Sequence, residues 1–136
     1  VHMVNPDVAV VLESDIAGDV PGVGKDECPI KLGKGPTLWL YDVRQIPNLP
    51  LRDLAIATAK ELGIPLQFSA LERGASDGSV IHLHNEGVPT IVVGVPVRHI
   101  HSHTGIIHRD DYDGAVGLVS ALVRKLNAEN VAGLSA

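Results

Sequence analysis

Residues 90–95 read TIVVGV, the most strongly β-branched run in the chain. A run with no polar face to offer water belongs inside a sheet covered on both sides. Aromatic residues are only 3% of the 136, so Val, Leu, Ile and Ala must fill the core. Three further segments have strand composition: DVAVVL at 7–12, PTLWLY at 36–41 and LQFSAL at 66–71. Between them, Leu51, Leu54, Ala55, Thr58 and Leu62 recur at three- and four-residue spacing, and Gly63 and Pro65 stop the helix they predict over 51–62. A second helix is expected over 78–85, with Ser76 or Asp77 as N-cap, Gly87 as its stop and Pro89 blocking further winding. A third is expected over 112–126, with Val116, Val119, Leu122, Val123 and Leu126 as one stripe. Strand and helix in alternation predict an α/β fold: a mostly parallel sheet flanked by helices. Residues 1–3 read as a cloning remnant, and residues 128–136 as a disordered tail.

The length fits one domain. Eleven basic residues against sixteen acidic give a formal charge of -5 without a Lys or Arg run, which argues against a nucleic-acid partner. The apolar stretches are too short to cross a bilayer, so no membrane role is expected. Cys28 is the single cysteine, which rules out an intrachain disulfide or a cysteine cluster within one chain. A cytoplasmic setting is the expectation.

Six of the seven histidines fall between His82 and His108, and His99, His101, His103 and His108 share one expected loop. Imidazole is a common ligand for zinc and similar ions, often with a carboxylate from elsewhere. Were the loop extended, residues 99, 101 and 103 would share a face; a solvated polar loop is the plainer alternative for any one of them. His82 and His84, two apart on an expected helix, are poorly placed to share a metal. In LESDIAGD, Glu13, Asp15 and Asp19 follow an apolar strand, where a carboxylate is costly unless donors or a cation compensate it. Glu13 is the sharpest candidate, and turn formation is the plainer reading of Asp15 and Asp19. GVGK and KLGKG do not meet the phosphate-loop pattern.

Three segments in order, VVLESDIAGDVPGV, then LRDLAIATAKELGIPLQ, then GASDGSVIHLHNEGVPTIVVGVPVRHIHS, followed by a final amphipathic helix, resemble the glutamyl-aminopeptidase family of dinuclear-metal peptidases. That family includes tetrahedral (TET-like) and deblocking aminopeptidases and members labelled cellulase M or endoglucanase. The resemblance implies a partial zinc-peptidase three-layer sandwich, with residues 4–127 as the C-terminal part of the catalytic domain. It implies two divalent ions, zinc or cobalt, in the complete enzyme. His101 would be a ligand of one ion and Glu13, where relatives usually carry Asp, a ligand of the other, with Asp15 as the fallback. Ser76 and Asp77 match the family's G-[TS]-D loop and would lie on the substrate side.

The family's first His, bridging Asp and catalytic Glu pair would all precede Val4. The chain alone is therefore expected to be inactive, holding no catalytic residue of its own. The implied partners are a peptide substrate, the missing N-terminal half and other copies in a homo-oligomer. The alternative is a non-catalytic metal-binding or subunit-assembly module, favoured by the sheet edge that a partial domain leaves open. Glycoside hydrolysis has no carboxylate pair to support it.

Overall fold

The computed structural model describes residues 1–135. Its strands are β1 (Ala9–Ile16), β2 (Thr37–Tyr41), β3 (Gln67–Ala70) and β4 (Thr90–Val97), and its main helices are α1 (Leu49–Leu62), α2 (Gly78–Ile81), α3 (Arg109–Lys125) and α4 (Ala128–Ala132). The strands form one sheet in the order β1-β4-β2-β3, so the TIVVGV segment takes the interior place its composition demands. The β1–β4 and β2–β3 pairs are parallel, whereas β2 and β4 run antiparallel. The sheet is thus mixed, with the reversal at its centre.

One face of the sheet packs on α1 and α3. Leu38, Ile91 and Val93 meet Leu51, Ala55 and Ala59 of α1 and Ala115, Leu118 and Leu122 of α3 in a single cluster. Each fully buried Leu there contributes about 1.5–3 kcal/mol. α1 starts where Asn48 Oδ1 accepts the Leu51 amide at 2.9 Å and ends at Gly63 with φ +66°, matching the predicted stop. α2 touches β1 and β4.

Four expectations need correction. β1 does not end at residue 12 but runs to Ile16, because pairing with β4 continues to Val97 and the Asp15 carboxylate finds donors inside the sheet. The helix expected over 78–85 is four residues long; Asn85 turns left-handed at φ +52°, and His and Asn are weak helix formers. The buried stripe of α3 is Asp111, Ala115, Leu118 and Leu122, while Val116 and Val123 stay 49% and 56% exposed. The expected tail is built into the fold over its described part: Asn127 caps α4, Leu134 joins the core cluster, and its carbonyl accepts Asn48 Nδ2 at 2.8 Å, while residue 136 lies outside the described residues.

Asp111 explains the rotation of α3. It is fully buried, and its two carboxylate oxygens accept the amides of Gly33 and Gly35, both at 2.7 Å. Charge-assisted bonds of this kind are about twice as strong as neutral ones, and they turn the 111/115/118/122 face inward. Asp111→Ala leaves two amides without acceptors and is expected to lower unfolding stability by about 2–4 kcal/mol, measured as a fall in the urea midpoint.

Candidate functional site

Because β1 and β4 are parallel neighbours, the segments that follow them leave the same end of the sheet. Arg98, directly after β4, donates to Asp19, three residues beyond β1, from Nε at 2.9 Å and from a terminal nitrogen at 2.6 Å. Leu32 N also donates to Asp19 at 3.3 Å. The Arg98 hydrogen bonds, helped by the Leu32 amide and by Asp19's own amide, hold the Asp19 carboxyl below its ordinary pKa against the opposing effect of burial. Asp19 is therefore an inter-loop tie, a role beyond the turn formation expected of it.

The histidine loop is closed at its neck by reciprocal backbone bonds between Arg98 and Ile106, at 2.9 and 3.1 Å. It is a tight turn, so the three-histidine face of an extended segment does not form. His99 and His101 have φ of +60° and +61°, a region non-glycine residues seldom adopt and one often associated with functional sites. Ser102 Oγ donates within the loop to the His99 carbonyl at 2.7 Å. His99, His101 and His103 all lie exposed on the surface. His108 stands apart from them as the N-cap of α3, its Nδ1 accepting the Asp110 amide at 3.2 Å.

Glu13 lies within β1 opposite Gly94, partly exposed, and makes no side-chain hydrogen bond among the described residues. Asp15 is only 2% exposed and both of its oxygens are engaged: one accepts Thr37 Oγ1 at 2.6 Å and the other the Ile16 amide at 2.8 Å. Asp15 thus reaches across Gly94 of β4 to β2, and the fallback ligand is occupied with holding the sheet.

Ser76 and Asp77 sit elsewhere. The Ser76 amide and hydroxyl both donate to Asp42 at 3.0 Å, and Gln45, in the same turn as Asp42, reaches the Thr90 carbonyl at the start of β4. His101 follows the other end of that strand, whose eight residues span roughly 23 Å. Asp77 occupies the N-cap position of α2 without a side-chain capping bond, and Ser76 is buried. Beyond the short helix, His82 Nδ1 meets the Gly78 carbonyl at 2.9 Å and the buried His84 meets Asn5 at 3.0 Å.

Burial on its own would raise the pKa of Asp42, but the amides of Ser76, Arg44 and Gln45 and the Ser76 hydroxyl outweigh it and hold the carboxyl below the usual range. A depressed folded-state pKa gives stability that is present above the unfolded value near ~3.9 and lost as pH falls through the folded one. The stability gap between the parent chain and Asp42→Asn should therefore narrow steadily below about pH 4, as read from urea midpoints against pH.

A family model described as M42 glutamyl aminopeptidase matches residues 1–118. The chain belongs to the M42 glutamyl aminopeptidase family. FrvX of Escherichia coli (strain K12), which bears an aminopeptidase name, is 38% identical over 128 residues, covering 94% of this M42 chain and 36% of FrvX. The crystal structure of TET aminopeptidase from the marine sediment archaeon Thaumarchaeota archaeon SCGC AB-539-E09 has a TM-score of 0.94 and 47% identity, covering 98% of this chain and 37% of that one. Pyrococcus horikoshii TET1 peptidase, described as assembling into a tetrahedron or a large octahedral shell, has a TM-score of 0.65 and 26% identity, covering 83% and 32%. The M42 chain spans about a third of the length of these proteins.

Against the metal that the sequence resemblance led one to expect, the donors present fit in kind but not in number. Glu13 offers an unengaged carboxylate and His101 an imidazole. Among the described residues no three His, Cys, Asp or Glu side chains converge to hold an ion. Arg98, Asp42 and Asp111 are the residues the sequence reading missed, and Asp19 was read only as a turn former. Their importance depends on partners 34 to 79 positions away, and only the place of an Arg just behind an apolar strand hints at one of them.

Proposed function

We propose that this chain is part of a metal-dependent aminopeptidase that removes amino-terminal residues from peptides, with Glu13 and His101 each supplying one ligand to a different metal ion. The observation that carries this reading is the parallel β1–β4 pairing, which sends the Glu13 strand and the His101 loop toward one end of the sheet in a chain of the M42 family. Ligand-binding crevices of α/β sheets lie at such strand ends. Bound ions of this class supply an activated water and polarise the scissile carbonyl. The chain's own part is to present a carboxylate from a strand and an imidazole from a tight loop. Both donors are accessible enough to reach ions held mainly by other segments. Zinc and cobalt both suit this donor set. A homo-oligomeric state accords with the assembly described for TET1 peptidase.

One His and one Glu bind metal weakly when each stands alone, since catalytic zinc usually takes three protein ligands. The 136-residue chain is therefore expected to show no turnover of aminoacyl-p-nitroanilides with added Zn²⁺ or Co²⁺, and to gain it once the segments that complete a polypeptide of the relatives' length are supplied. Turnover by the chain alone would sink the incomplete-centre reading. A monodisperse, metal-indifferent chain that stays inactive when completed would sink the aminopeptidase one.

A further inference from the structure

We propose that Asp19 and Arg98 are positioning residues that hold the His101 loop in place against the loop following the Glu13 strand; this rests on the metal-ligand reading of Glu13 and His101. Arg98 lies three residues before His101, and Asp19 six after Glu13. Their two-pronged contact is the side-chain link between the two loops, and fork-to-carboxylate geometry fixes orientation as well as distance.

Asp19 is itself held by a third segment. Leu32 N donates to its carboxylate, and Gly18 N donates to the Ile30 carbonyl at 2.8 Å. That same segment secures the far end of the histidine loop, since Gly33 and Gly35 bind Asp111 in the first turn of α3. Between these anchors, the hydrogen bonds made by residues 99–105 are internal to the loop. Beyond the Arg98–Ile106 backbone pair at the neck, no hydrogen bond from outside the loop reaches residues 99–105 among the described residues, so the position of His101 is decided at the loop ends. Asp111 is buried and serves the core as well, whereas the Asp19–Arg98 pair is 19% and 35% exposed. The pair lies outside the core cluster that α1 and α3 form with the sheet and ties loop to loop, so its main effect falls on placement of the histidine loop.

The test uses Arg98→Gln, Asp19→Asn and the conservative Arg98→Lys. In this chain without metal, amides of residues 99–105 should exchange about tenfold faster in the first two variants, with the α1 and α3 amides unchanged. Arg98→Lys should recover part of the protection. In a polypeptide of the relatives' length, the first two should lose about tenfold in kcat with KM held within about twofold, and Arg98→Lys should again recover part. Unchanged loop exchange in both variants overturns the proposal, and so does an equal loss in the lysine variant. If instead Glu13→Ala and His101→Ala leave metal content intact, the ligand reading fails while the exchange result still decides whether the pair places the loop.

Discussion

Replacing Gly94 by valine is expected to prevent stable folding of this chain. A Cβ at that position would lie 2.3 Å from Thr37 Oγ1 and 3.0 Å from both the Asp15 Cβ and the Trp39 Nε1. None of these neighbours has room to retreat. Thr37 is fully buried, Asp15 is 2% exposed and Trp39 6%, and Thr37 and Asp15 are tied by a 2.6 Å hydrogen bond. Overpacking a dense interior costs about 1–3 kcal/mol. Parting Thr37 from the buried Asp15 carboxylate adds about 1.5–3 kcal/mol. The sum, roughly 2.5–6 kcal/mol, reaches at its upper end the whole stability of many small domains. Far-ultraviolet circular dichroism through a urea titration decides it. A Gly94→Val chain with a parent-like midpoint would show that Asp15 and Thr37 can move apart freely.

Substituting His101 by alanine in a polypeptide of the relatives' length is expected to reduce kcat/KM on aminoacyl-p-nitroanilides by about 1,000-fold, or roughly 4 kcal/mol of transition-state stabilisation. With only a few ligands per ion, losing an imidazole empties or reshapes that site. His103→Ala is the control. It alters an exposed residue of the same loop and should leave activity within about twofold. Metal content per chain separates the readings, since loss of activity should accompany loss of about one ion from His101→Ala. Full activity and full metal content in that variant would remove His101 from the centre.

Much of the architecture was legible because its strongest signals are local. TIVVGV announces an interior strand by composition, and the 51/55/58 spacing and Gly63 give the buried face and the stop of α1 through one-turn physics, whereas its Asn48 cap was not read. The antiparallel β2–β4 pairing was invisible, since strand direction depends on how the chain travels between residues 41 and 90. The α3 face was misjudged for a similar reason. Val116 and Val123 look like core residues by hydropathy, but Asp111 sets the rotation, and its donors at Gly33 and Gly35 lie 78 and 76 positions away. At the site, Glu13 and His101 were readable as donor types. That Asp15 is spoken for by Thr37, and that Ser76 serves Asp42, could be learned only from contacts across the sheet.

Two histidines in left-handed backbone conformations carry a further consequence. At φ near +60° a side chain crowds its own carbonyl, which costs about 1–2 kcal/mol for each residue. Glycine would relieve that penalty at once. The turn bearing His99 and His101 is therefore a loaded spring kept bent by its surroundings, and a selection for heat tolerance alone would tend to erase the imidazoles before it touched the sheet.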